Sequence, residues 1–310
     1  MAYQTGTANN ASALKSIIET FATANGWTLA SGILSKGQSN VRLIAINTDQ
    51  GIQLEGANSA DFSTGVAPNW AQVYVPTAQW PITYHLFAHG SPDTFVCVLN
   101  YNVNSFQYLA FGDITKFGTW TGGNWFSATM GQASLVVPSM TVRAAIENVT
   151  PILSGQTTTT SSYIESSSGG ILVYSTSGSS TRAGGSFMHA EIDGVIWARP
   201  LDTDTVRISA GEGTGRLIGR MPNAWNAQAV LLPYLLTAKR PSNKISLIGE
   251  IGHLRHLRID NYNPGDLITL GVDRWKVFPW IQKDTDSRDG VFWDYHKSGT
   301  MGWAIKYDGP

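Results

Sequence analysis

Six histidines, one cysteine and a scatter of acids are the groups in this 310-residue chain that could do chemistry. His253 and His256 lie in Gly252-His253-Leu254-Arg255-His256, an H-x-x-H spacing. Zinc hydrolases use H-E-x-x-H on a helix, with the glutamate as general base. This segment lacks both that glutamate and that spacing. In a flat strand, residues three apart point to opposite faces, so the two rings are not expected to share a metal. His85 and His89 flank Leu86-Phe87-Ala88 with no cysteine nearby, and His189 and His296 stand apart from them. Glycoside hydrolysis needs two carboxyl groups about 5–10 Å apart across a cleft. Glu55, Asp61, Asp113, Glu165, Glu191, Asp193 and Glu250 are candidates, but nothing in their spacing pairs them. Gly211-Glu212-Gly213-Thr214-Gly215-Arg216 has neither the spacing nor the lysine of a phosphate-cradling loop and reads as a turn. No G-x-S-x-G elbow occurs. Cys97 sits in the apolar run Thr94-Phe95-Val96-Cys97-Val98-Leu99 and reads as a buried, inert thiol. These residues point to no catalytic set, no metal centre and no cofactor, and so to a protein that is not an enzyme.

Composition supports that direction. Charged residues are 14% of the chain, against roughly 25% in ordinary soluble domains, while hydrophobic residues are 42%. Weakly charged, glycine- and aromatic-rich chains suit proteins whose surfaces are covered by neighbours. The formal net charge of -1 argues against nucleic acid as the main partner, because binding phosphates takes a basic face. No run approaches the roughly 20 apolar residues of a membrane span. Met1 to Gly6 lacks a basic region and an apolar stretch, so no signal peptide is expected and synthesis would be cytoplasmic.

The elements that would position any site are short strands and one helix. Leu14, Ile17, Ile18 and Phe21 form one apolar stripe, Asn10 or Ser12 could cap the helix, and Asn25-Gly26 would stop it. This amphipathic helix is expected to lie against a sheet. Strands are read at Val41–Ile46, Gln72–Val75 and Ile82–Phe87. Phe95–Tyr101 and Phe106–Gly112 form a hairpin over Asn102–Ser105, and two such runs need sheet partners on both sides. The aromatic, glycine-rich stretch Thr115–Phe126 is expected to fold back over a core. Gln156–Arg182 is rich in Ser, Thr and Gly and reads as a loop or arm. Ala190–Trp197 is a hairpin with an Asp-Gly turn, followed by strands at Val206–Ile208 and Lys244–Gly249. Ala227–Leu236 is apolar and could be a short helix or a buried strand. The resulting fold class is mainly β, one N-terminal helix packed on β-sandwich or barrel-like sheets, in two β subdomains. The division is 1–150, an arm at 151–185, and 186–310.

In the last quarter, Pro264-Gly265-Asp266 opens a turn, and two short strands flank a second turn at Gly271. Arg255, Arg258, Arg274, Lys276 and Lys283 interleave there with Asp260, Asp266 and Asp273. That pattern fits a solvated face of mixed charge or salt bridges between subunits.

Several segments resemble structural proteins of tailed-bacteriophage virions. They are Met1 to Thr7 with the following helix and Asn25-Gly26-Trp27-Thr28, and Tyr108 to Gly118 with Thr121-Gly122-Gly123. The closing Pro264 to Pro279 and Gly302-Trp303-Ala304-Ile305-Lys306 are similar to the same group. The resemblance implies a non-enzymatic subunit of the tail, neck or collar, or baseplate, located in the virion. Its partners would be copies of itself and other virion proteins. Trp120, Trp125, Trp225, Trp275, Trp280 and Trp293 are the candidate interface anchors, because tryptophan concentrates binding energy. A second reading is a host-surface or carbohydrate binder, with Trp120 and Trp125 as a platform for a surface glycan. A third is an enzyme that degrades cell-wall or capsule glycan.

Overall fold

The computed structural model describes residues 1–46, 49–68, 70–75, 79–128, 130–131, 186–198, 206–209, 230–280, 283 and 301–309. The arm read at 151–185 lies outside these residues, as do Gly211–Arg216, Glu165, His296, Trp225 and Trp293.

The chain opens with β1 (Ala2–Ala8) and α1 (Ala11–Ala24). The segments β2 (Thr28–Ala30), β3 (Ile33–Lys36), β4 (Ser39–Ile46), β5 (Gly51–Ala57) and β6 (Ala71–Tyr74) follow. Next come β7 (Ile82–His89), β8 (Thr94–Asn102), β9 (Ser105–Asp113), β10 (Thr115–Lys116), β11 (Gly122–Ala128) and β12 (Met130–Gly131). After these lie β13 (Ser186–Ile192), β14 (Val195–Ala198), β15 (Arg207–Ser209) and β16 (Leu232–Arg240). The last strands are β17 (Lys244–Arg258), β18 (Leu267–Leu270), β19 (Asp273–Pro279) and β20 (Met301–Lys306).

The fold is mainly β with one α-helix among the described residues, as the sequence pattern implies. Among the described residues the sheets are open and none closes into a barrel. The first sheet runs β12-β6-β5-β4-β3-β2. The second runs β1-β7-β8-β9-β11-β13-β14. The third runs β15-β16-β17-β20-β19-β18, with β10 added alongside β17. The hairpin β13–β14 lies beyond the Ser/Thr-rich segment in sequence, yet β13 pairs with β11 and extends the second sheet.

The second sheet is the middle layer, and its strands show why. One apolar cluster joins α1 and the first sheet to Leu86, Phe95, Cys97, Leu99, Leu109, Phe111 and Phe126. The other joins the third sheet to Phe87, Val96, Val98, Tyr108, Ala110 and Trp125. Side chains alternate along a strand, so successive residues of β8 and β9 enter different cores. Thr94 to Leu99 and Ser105 to Gly112 are therefore buried without a break. A strand covered on both faces loses the apolar–polar alternation of a half-exposed one. Cys97 is buried within this layer, and burial pushes its thiol well above the ordinary cysteine range.

The helix is set by local chemistry. Asn10 is extended and its side chain accepts from the Ala13 amide at 2.8 Å. Lys15 and Glu19, one turn apart, pair at 2.7 Å. Gly26 takes a left-handed φ of 85°, which ends the helix at small steric cost. Leu14, Ile18 and Phe21 are buried against the sheets, and Phe21 meets Phe95 edge-on. The Asp193-Gly194 turn has both residues at positive φ, as a two-residue hairpin requires. Its Asp193 grips Arg240 of β16 through two bonds of 2.6 and 2.7 Å, tying the middle sheet to the third.

Candidate functional site

The densest group of titratable side chains gathers where the β7–β8 turn meets the other two sheets. Three sheets bring it together. His89 ends β7, Asp93 precedes β8, and Asp113 ends β9. Lys36 arrives from β3 in the first sheet, and His253 and Lys306 arrive from β17 and β20 in the third.

His89 and His253 stack face to face, with centroids 4.4 Å apart and planes 10° from parallel. His89 Nε2 lies 2.9 Å from the Lys306 carbonyl oxygen, and His253 Nε2 lies 3.0 Å from that of Pro92. A carbonyl only accepts, so each Nε2 carries the hydrogen and each Nδ1 carries a lone pair. His89 Nδ1 is buried without a partner among the described residues. Burial drives the His89 pKa down to about 3, and the neighbouring His253 adds to this. The His253 pKa is lowered chiefly by burial as well.

Further along the same face of β7, His85 Nδ1 lies 2.8 Å from the Tyr3 hydroxyl, and burial holds its pKa near 4, with a contribution from Lys276. Tyr3 meets Tyr307 edge-on, and Lys276 Nζ sits 5.2 and 4.8 Å above these two rings. The rings thus run in a row from Tyr307 through Tyr3, Phe87 and His89 to His253.

On the other side of the turn, Asp93 pairs with Lys36 at 2.9 Å. The Asp113 amide bonds the Asp93 carbonyl, and its carboxylate accepts from the Gln38 amide at 3.0 Å. Gly37 has φ +58° and faces both carboxylates; a Cβ there would overlap Asp113 Oδ2 and lie 3.5 Å from Asp93 Oδ2. Burial raises the Asp113 pKa to about 6, and the nearby Asp93 pushes in the same direction. Asp113 Oδ1 has no hydrogen-bond partner among the described residues.

The other candidate acids lie in separate settings. Glu55 holds Arg42 and Gln53. Asp61 closes a local turn on Ser63. Asp193 holds Arg240, and Glu191 bonds through its backbone amide to Thr121. Glu250 lies on β17 opposite Thr115 of β10. Asp113 does have a carboxylate neighbour, but it is Asp93, which the sequence reading passed over. The turn signal Gly90-Ser91-Pro92-Asp93 between two apolar runs was the available clue.

His256 and His253 pack against different neighbours. His256 is fully buried, stacked on Tyr234 at 4.1 Å and edge-on to Trp280. His189 lies between Asn124 at 3.0 Å and Asn58 at 3.1 Å, a satisfied buried histidine. No group of three or more metal-ligating side chains forms among the described residues.

The tryptophans divide. Trp125 and Trp280 fill the core between the middle and third sheets, at 1% and 0% exposure. Trp275 is buried on the far side of the third sheet, under the Arg255 guanidinium. Each is committed to the inside of the fold, because a ring of this size stabilises a core most when fully covered. Trp120 packs half-buried on the core beneath Lys116. A glycan platform of Trp120 with Trp125 is therefore not present, since Trp125 has no free face.

The interleaved charges of the tail find partners inside the chain. Arg258 pairs with Asp260, and Lys306 with Asp273 at 2.9 Å. Arg274 donates to the Gly309 carbonyl at 2.6 Å, and Lys283 to that of Tyr262.

No protein-family model matches the chain, and no curated protein does either. No helix among the described residues is long and apolar enough to cross a membrane.

Proposed function

We propose that the chain is a non-enzymatic structural subunit of a tailed-phage virion, in the tail, neck or collar, or baseplate. It would assemble with copies of itself and with other virion proteins. The virion setting comes from the sequence segments quoted above. The observation that carries the assembly reading is the set of aliphatic side chains standing in solvent on the third sheet. Ile245 and Leu247 project from β17 and Leu235 from β16, while Leu270 lies on β18. Val272, at the tip of the β18–β19 hairpin, is 98% exposed. Single exposed aliphatics are ordinary, but several on one sheet of a weakly charged chain suit a face that a neighbour covers.

The test is sedimentation and electron microscopy of the purified chain, with labelling of intact particles by an antibody against it. Rings or higher oligomers, disrupted by Leu270→Asp with Val272→Asp, support the reading. A monomer at tens of micromolar that is absent from particles refutes it.

A further inference from the structure

We propose that the seam between the middle and third sheets at the β7–β8 turn is an acid-released clasp. It is closed by the neutral His89–His253 stack and opened when the two rings take up protons. The clasp is a property of the fold and holds whatever the protein assembles with.

Geometry carries the argument. β10, which continues from β9, is laddered to β17 at Thr115 and Lys116, and Tyr108 donates to the Pro279 carbonyl. Among the described residues, however, neither β7 nor β8 is laddered to β17 or β20. Beside the β7–β8 turn the two imidazoles supply the polar contacts, through Nε2 to Lys306 and Pro92. Each ring already uses its one proton in that bond. A second proton must go to Nδ1. On His89 that atom is buried and meets no acceptor among the described residues. A buried donor without a partner is costly, and a buried unpaired charge is more so. Protonating both rings also sets two positive charges face to face at a centroid distance of 4.4 Å.

The surroundings offer no relief. The charged groups acting on the stack are Lys306 of β20, Arg255 of β17 and the amino terminus ahead of β1, all positive. Asp273 of β19 is the partner of Lys306, and Asp93, next to Pro92 in the turn, is the partner of Lys36. His85, four residues earlier on β7, is held by Tyr3 and faced by Lys276.

The sign follows. Both histidines bind protons more weakly in the closed state than when solvated, where the ordinary pKa is about 6.5. The open state therefore takes up more protons below that pH. The open-to-closed ratio rises by about tenfold per pH unit for each ring, or about a hundredfold for the pair.

The test uses the full chain labelled with nitrogen-15. Histidine ring spectra follow each imidazole from pH 8 to 4, beside tryptophan fluorescence, an apolar dye and far-ultraviolet circular dichroism. The expected result is that both rings stay neutral, with hydrogen on Nε2, until dye binding and fluorescence change together below about pH 6, with strand content retained. His253→Gln keeps a donor for Pro92 but cannot titrate; it should reduce the steepness by about tenfold per pH unit and move the transition to lower pH. An unchanged midpoint and slope in His253→Gln would overturn the clasp. So would rings that charge near pH 6.5 before any opening, or strand content lost in the same step. If His253→Gln fails to fold, the ring spectra of the unaltered chain decide between these outcomes.

Discussion

Replacing Asp113 by Asn should make the protein more stable at neutral pH. The Asp113 carboxyl, ordinarily at 3.8, is raised to about 6 by burial and by the adjacent Asp93. The folded state thus holds this proton more tightly than the unfolded chain does. Stability from the protonated form is complete below pH 3.8 and is lost as pH rises through 6. Above that, the ionised group is a net cost. A shift of about two units corresponds to about 3 kcal/mol. The residue is partly exposed, which screens the charge and reduces the figure to about 1–2 kcal/mol. Asn preserves the acceptor for the Gln38 amide and carries no charge beside Asp93. The assay is chemical and thermal unfolding of both proteins at pH 7.5 and pH 4. At pH 7.5 the variant should melt about 2–6 °C higher for a chain of this size. At pH 4 the gap should close, because the native carboxyl is then protonated when folded. A gain of equal size at both pH values, or a loss at pH 7.5, would refute the assignment of a strained charge to this site.

Two further substitutions probe the elements around it. Asn10→Ala removes the oxygen that accepts from the Ala13 amide and should cost about 1 kcal/mol, read as a lower urea midpoint with an unchanged slope. Gly37→Ala forces a Cβ against the Asp113 carboxylate from a left-handed φ and should cost about 1–3 kcal/mol. Combining Gly37→Ala with Asp113→Ser should recover part of that loss if the overlap is its cause, and none if backbone conformation alone is.

Much of the fold is legible in the sequence because local signals agree with the layers. The stripe of α1, the strands β4, β6 and β7, the β8–β9 hairpin and the Asp-Gly hairpin all fall where the pattern puts them. Ala227–Leu236 was open between helix and strand; β16 begins inside it, at Leu232. The third sheet is less readable. Val206–Ile208 and the two strands around Gly271 match β15, β18 and β19, but of β17 only Lys244–Gly249 reads as a strand, whereas it continues to Arg258. Its register shifts against β16, which breaks the alternation that marks an ordinary strand. The site is less readable still. His89 and His253 come from different sheets, as do Lys36 and Asp93, and nothing local fixes a contact between layers.

The position of the polar cluster follows from the layering itself. A sheet with both faces buried has almost no place for a charge along its strands. Its polar groups collect at strand ends, where a turn brings backbone carbonyls within reach. The β7–β8 turn is such an end, and three sheets converge on it. Histidine fits there because it can be neutral, flat and aromatic in the core while still donating one hydrogen bond. Phe87 and His89 show the substitution within one strand: the same face, parallel rings, and a polar edge only where the Lys306 carbonyl waits. A residue that joins layers while neutral and separates them when charged makes the layer contact depend on pH. Deeper in the same seam, the edge-on contact of Tyr108 with Trp303 and the bond from the Tyr108 hydroxyl to the Pro279 carbonyl carry no such dependence. Opening should therefore begin at the turn and stop where the histidines end.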